Sequence, residues 1–283
     1  MHVRLTALLL TLAAGATLAA APPTAGRVPR AVLDDHILLT WYGNPRSTRM
    51  GALGEQSGDA RVARFEAQAK AYRAVSPAPV LMAYHLVAVV AQCTAGADAM
   101  WRRRETRDVI DALLLEARAH GYKVVLDVQV GRSTVAAEVK ALEPYLKEPD
   151  VYLALDPEFA MTDCQVPGQQ VGRLYASDIN TSLDVLERLI ATHRLPPKIL
   201  IVHQFRLDML PDKTNVRASA VVDTVLVMDG FGTQALKRST YRAVMRQPMA
   251  YAGIKLFYQQ DRNLFTPAQV LDLSPRPVVI VYQ

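Results

Sequence analysis

The stretch RDVIDALLLEARAHGYKVVLDVQVG, residues 107–131, holds two periodicities in succession. Ile110, Leu113, Leu114 and Ala117 recur at helical spacing, and Gly121 supplies a stop. Directly behind comes KVVLDVQVG, apolar on both faces, which is the pattern of a strand covered from two sides. A helix feeding a fully buried strand is half of a parallel β-α-β unit, so the question is how often the unit recurs.

Working outward, eight segments have this strand character: HILLTWYG from His36, PVLMAYHLVAV from Pro79, KVVLDVQVG from Lys123, VYLALDPEF from Val151, KILIVHQF from Lys198, VDTVLVMDGFG from Val222, AYAGIKLFYQQD from Ala250 and PVVIVYQ from Pro277. Helical patterns fall between several of them, over residues 60–75, 107–120, 177–193, 233–245 and a short 267–273. Eight such strands in a chain of 283 residues predict an α/β fold, a single (β/α)8 TIM-type barrel over residues 36–283. The fifth connection, RLDMLPDKTNVRASA, has little helical pattern. The eighth helix is missing, so residues 22–35 are expected to act as a linker or to cover the barrel. A doubly wound open sheet is the other arrangement of such strands, but GNPRSTRMGALGE from Gly43 lacks the compact G-x-G-x-x-G turn.

The amino terminus differs in kind. Arg4 precedes LTALLLTLAAGATLAAA, a short apolar run ending in small residues, and then PPTAG. That is the composition of a signal peptide over residues 1–21, whereas a membrane anchor takes about 20 residues and usually larger ones. A secreted or periplasmic protein is expected, with no stable membrane span after signal removal. An oxidising compartment permits a bridge between the two cysteines, Cys93 and Cys164, both placed just after predicted strands; two separate buried thiols fit equally. The net charge of +5 is scattered, and the run WRRRE at residues 101–105 reads as a solvated basic loop. No basic stripe is interleaved with aromatics, so nucleic acid is not an expected partner.

Barrels of this kind carry their chemistry at the carboxyl ends of the strands. Those ends hold Trp41, Tyr42 and Asn44; Tyr84 and His85; Asp127 and Gln129; Asp156 and Glu158; His203 and Gln204; Asp229; Lys255, Tyr258 and Asp261; and Tyr282 and Gln283. The period of two turns Asp127, Gln129, Asp156, Glu158 and His203 inward. An isolated acid there costs several kcal/mol or takes up a proton, so these groups must meet one another, a cation or a wet pocket.

Asp156 and Glu158, at i and i+2 on the fourth strand, are expected side by side about 6–7 Å apart at the backbone. Like charges that close keep one acid protonated while the other stays ionised, the pairing used to cleave a glycosidic bond. The expected roles are Glu158 as acid and Asp156 as its partner. Asp127, Gln129, His85, His203, Asp229 and Lys255 would bind or orient the substrate, and Trp41, Tyr42 and Tyr258 would stack on sugar rings. The alternative is a divalent metal ion held by Asp127, Asp156, Glu158, His203 and Asp229 for phosphoester or similar hydrolysis. A further alternative is a non-catalytic glycan-binding barrel.

The Asp156-Pro157-Glu158 ending resembles the D-x-E end of the strand-four motif in glycoside hydrolase family 18 barrels. The resemblance implies that Glu158 is the acid and that Asp156 orients an acetamido group of the substrate. That motif carries two further aspartates where this chain has Ala154 and Val151. VMDGFG from Val227 resembles the family's sixth-strand segment without its tyrosine. As a whole, the chain resembles a group of bacterial exported barrel proteins of unassigned function, a likeness that implies no reaction.

Overall fold

The structure is a computed structural model and describes residues 31–162 and 164–283. The expected signal peptide, residues 1–21, lies outside the described residues.

Eight parallel strands close on themselves. They are β1 (Ile37–Gly43), β2 (Val80–Ala91), β4 (Lys123–Val128), β5 (Val151–Leu155), β6 (Lys198–Gln204), β7 (Val222–Met228), β8 (Tyr251–Leu256) and β9 (Val279–Tyr282), and β1 pairs with both β2 and β9. Outside lie the helices α1 (Ala52–Glu55), α2 (Gly58–Arg73), α3 (Arg107–Ala119), α4 (Val135–Leu146), α5 (Ala176–His193), α6 (Gln234–Val244) and α7 (Pro267–Leu271). The fold is therefore an α/β barrel.

The stretch that opened the reading shows why the elements stop where they do. Gly121 adopts φ of +71°, and Gly121 N–H and Tyr122 N–H close back on Arg118 O and Ala117 O at 3.2 and 2.8 Å. This is a Schellman cap, which only a residue tolerant of the left-handed region completes cheaply. It turns the chain straight into β4.

Alternation along the strands divides the apolar core in two. Val125, Tyr152, Ala154, Ile199, Ile201, Val225, Val227 and Val281 fill the interior, while Leu126, Leu153, Leu200, Leu226 and Ile254 meet the helices. Gly253 stands among the interior residues. A Cβ there would lie 2.6 Å from Val227 Cγ2 and 2.8 Å from the backbone oxygen of Val279. Gly253→Val is expected to destabilise by about 1–3 kcal/mol through overpacking, measured by denaturant unfolding.

Four expectations need correction. α4 occupies a connection where no helix was foreseen; Val135, Val139, Leu142 and Leu146 are buried along one face, and Pro144 masks the pattern from within. The basic run is not a solvated loop. Arg102–Arg104 is a strand, β3, antiparallel to the end of β2, because Arg102 Nε and Arg104 Nε both donate to the buried Glu138 carboxylate at 2.8 and 2.7 Å. The fourth predicted strand, β5, ends at Leu155 rather than running on through Phe159. Pro157 has no N–H to give a ladder, and Asp156 caps a 3-10 turn, Pro157–Phe159, by accepting Glu158 N–H at 3.3 Å. Cys93 and Cys164 are both exposed and unbridged; Cys164 lies in the loop beyond that turn, well past the strand end.

The fifth connection is irregular as read, with two 3-10 turns, Leu207–Met209 and Lys213–Asn215. Residues ahead of β1 form another 3-10 turn, Val32–Asp34, which places Leu33 in the interior apolar cluster at the amino end of the strands. There Leu33 N–H donates to Asp223 Oδ2 at 2.9 Å. Burial raises Asp223 to about 6, against the help of that backbone bond.

For an acid raised on folding, the native state holds the proton longer than the unfolded state. Stability contributed by Asp223 is thus full below the unfolded value of about 3.9 and is lost as pH rises toward about 6. Asp223→Asn keeps the acceptor for Leu33. The variant is expected to gain stability relative to wild type as pH climbs from 4 to 7, checked by thermal unfolding across that window; parallel pH profiles would refute the raised titration of Asp223.

Candidate functional site

The carboxyl ends of the strands surround a cleft of about 730 Å³. Its side chains come in two tiers set by the pleat. Asp156, Asp229 and Lys255 form part of the floor, and the residues two positions further on, Glu158, Phe231 and Phe257, stand above them on the wall. Phe205, two beyond His203, and Gln129, two beyond Asp127, repeat the step. Phe159, Leu236 and Val90 add apolar surface. Four of the six phenylalanines in the chain therefore line one cleft, and Phe231, 60% exposed, stands at its mouth.

Under the cleft and up to its floor runs a chain of polar contacts from six strands or strand ends. Thr40 Oγ1 lies 3.3 Å from His85 Nδ1, and His85 Nε2 lies 3.0 Å from Asp127 Oδ2. His203 follows, with Nε2 3.3 Å from the same Asp127 oxygen and Nδ1 3.3 Å from Asp229 Oδ2. Both His203 contacts are at ion-pair distance but out of line for hydrogen bonds. Lys255 Nζ closes the chain, donating to Asp229 Oδ2 at 3.1 Å and sitting 3.6 Å above the Tyr42 ring. Tyr42 in turn accepts from Gln129 Nε2 at 3.1 Å.

Burial sets the protonation of these groups. It drives His85 down to about 4 despite the Asp127 carboxylate, so this imidazole is neutral at pH 7. Burial also opposes charge on Asp127 and His203, but there the contacts win: the two imidazoles hold Asp127 below the usual carboxylate range, and Asp127 with Asp229 raises His203. Asp156 has no such cation in contact. Burial first, then the charges of Asp127 and Asp229, push it well above the usual range, against the pull of His203 and Lys255. Glu158 is raised as well, by burial and by Asp229, against the pull of Lys255 and His203.

The structure thus brings Asp156, Glu158, Gln129, Asp229, Lys255 and Tyr42 to the cleft. It does not bring the rest. His85, Asp127 and His203 are wholly buried under the floor and do not line the cleft, so direct contact with a substrate is not their place. Trp41 and Tyr258 are misassigned by one step of the pleat. Trp41 neighbours the inward Tyr42 and so faces outward, stacked on Phe65 at 4.9 Å, while Tyr258 packs on Tyr282 at 5.1 Å behind the strand ends. Asp156 and Glu158 are not neighbours on one strand face, since β5 ends at Leu155, Asp156 caps the 3-10 turn that follows and Glu158 rides on it.

The aromatic wall is what sequence reasoning missed. Its signal was available: Phe205, Phe231 and Phe257 each follow an inward polar residue by two. As to metals, among the described residues the one group of three or more ligating side chains with atoms within 4.8 Å of one another is His85, Asp127 and His203. This differs from the five-residue set expected, which shares only Asp127 and His203 with it. No helix among the described residues is long and apolar enough to cross a membrane.

No family model matches the chain, and no curated protein matches it. Among solved structures it is similar to a chain described as "Last common ancestor of HMPPK and PLK/HMPPK vitamin kinases", at 13% identity over 82% of each chain with a TM-score of 0.25. A superposition at that score carries no argument about fold or chemistry.

Proposed function

We propose that this chain is an exported, secreted or periplasmic, glycosidase-like hydrolase built on a (β/α)8 barrel of the TIM type and acting on a cell-envelope or extracellular glycan. The observation that carries the reading is a cleft walled by phenylalanines that holds two carboxyls, Glu158 and Asp156, both raised by burial. Glycoside cleavage needs a proton for the leaving oxygen, and a carboxyl raised by burial holds that proton to higher pH than an ordinary one. Aromatic faces suit the C–H faces of sugar rings.

In this reading Glu158 gives its proton to the glycosidic oxygen as the bond to the sugar carbon breaks. The carboxylate left behind then takes a proton from the water that adds to that carbon. Asp156 keeps its own proton and donates a hydrogen bond to the substrate, matching the orienting role that the family 18 resemblance implies toward an acetamido group. Lys255 and Asp229, paired at the floor, fix polar substituents on the ring above them.

The test is incubation of the purified protein with acetamido-sugar polymers and envelope glycan fragments, followed by reducing-end release and mass spectrometry of the products. New reducing ends that scale with enzyme concentration are expected. Saturable glycan binding without turnover would replace the proposal with a non-catalytic glycan-binding barrel, and neither binding nor turnover across the panel would overturn both.

A further inference from the structure

We propose that His85, Asp127 and His203 form a buried binding site for one first-row divalent metal ion, with zinc(II) the best match to the ligand set. The inference is independent of the reaction assigned to the cleft above.

Three strands supply the ligands, β2, β4 and β6, and all three side chains are fully buried. Both imidazoles aim the same nitrogen, Nε2, at one oxygen, Asp127 Oδ2, at 3.0 and 3.3 Å. Ligand atoms around a tetrahedral ion with bonds of about 2.0–2.1 Å stand roughly 3.3–3.4 Å apart, so the three atoms already define much of one face of such a site. Imidazole nitrogen excludes magnesium and calcium as the preferred occupant and suits zinc and its neighbours.

Both outward nitrogens have an oxygen near them, and that of His85 is hydrogen-bonded. A coordinating imidazole normally presents its second ring nitrogen to an acceptor, which fixes the ring's orientation and raises its basicity. His85 Nδ1 has Thr40 Oγ1 at hydrogen-bond distance, 3.3 Å, while His203 Nδ1 has the Asp229 carboxylate nearby, Oδ2 at 3.3 Å, though out of line for a hydrogen bond. A second observation points the same way. Asp127 Oδ1 and both His203 nitrogens are buried with no hydrogen-bond partner in line, a condition native interiors rarely leave in place.

The site is also insulated. Tyr42, bound by Gln129 and capped by Lys255, lies against both rings, at 5.1 Å from His85 and 6.2 Å from His203. The ion would be acquired as the chain folds and would exchange slowly.

The experiment measures zinc by plasma mass spectrometry in untagged full-length protein, expressed in zinc-supplemented medium and desalted without chelator, beside His203→Gln and Asp127→Asn made the same way. About one equivalent per chain in wild type and at least a ten-fold drop in each variant are expected. Less than about a tenth of an equivalent in folded wild type, or full occupancy in both variants, would overturn the site. Should the variants not fold, wild type grown with cobalt decides: visible bands of tetrahedral cobalt support the site, and their absence refutes it. Metal content is read without reference to turnover, so loss of the glycosidase reading leaves this result standing, and the reverse holds.

Discussion

Glu158→Gln is expected to lower kcat on unactivated glycosides by about 10²–10⁴-fold, the contribution of a positioned general acid, with KM little changed. Glutamine keeps the shape and has no proton to give. The Glu158 side chain makes no hydrogen bond to another described residue, so thermal stability should hardly move. The loss should shrink on aryl glycosides with acidic leaving groups, which need no protonation. Wild-type activity should fall as pH rises through the raised pKa of Glu158, because the acid form is the active one, and this alkaline limb should be absent from the residual activity of the variant. Full turnover by Glu158→Gln on an ordinary glycan would remove this residue from the chemistry.

The largest effect on stability is expected from Lys237→Ala. Lys237 is 2% exposed and joins three backbone segments: its ammonium pairs with Asp261 Oδ2 at 3.0 Å and donates to Gly230 O and Lys255 O at 2.6 and 2.8 Å. Removing it leaves the buried Asp261 carboxylate with only the backbone N–H groups of Gly232 and Phe257, at 2.9 Å each. Breaking one side of a buried pair typically costs about 3–5 kcal/mol, and at roughly 2–4 °C per kcal/mol the melting temperature should fall by about 10 °C. The same residue spans the segments that carry Phe231 and Phe257, so substrate affinity should weaken as well. Lys237→Met, which keeps the apolar stem, separates lost charge from lost packing. A change below about 1 kcal/mol in both variants would show that the ion pair is dispensable.

The barrel was legible because its strands are apolar on both faces and its helices mostly keep a clean 3.6-residue stripe. Where a polar neighbour overrides local character, the sequence misleads. Arg102–Arg104 reads as solvated charge, yet a buried glutamate 34 to 36 residues away makes it a strand. α4 hides behind Pro144, which is tolerated close to the helix end. The site was legible as a set of inward polar residues, and the pleat placed most of them correctly. Depth was not legible. Nothing local in the sequence separates Asp127, sealed under Tyr42, from Asp156, open to the cleft, because that depends on how far each strand extends before it leaves the barrel. Trp41 and Tyr258 went wrong where the pleat was set aside in favour of aromatic character.

The stagger of two residues between floor and wall has a consequence for redesign. Phe205, Phe231 and Phe257 all lie just beyond the ends of their strands, one step above the ionic chain. Variation at Phe205 and Phe231 can retune which molecule enters without touching the ionic contacts, whereas Phe257 is held against the ammonium groups of Lys237 and Lys255. A library confined to positions 205, 231 and 159 would therefore explore selectivity while leaving the buried ionic contacts in place.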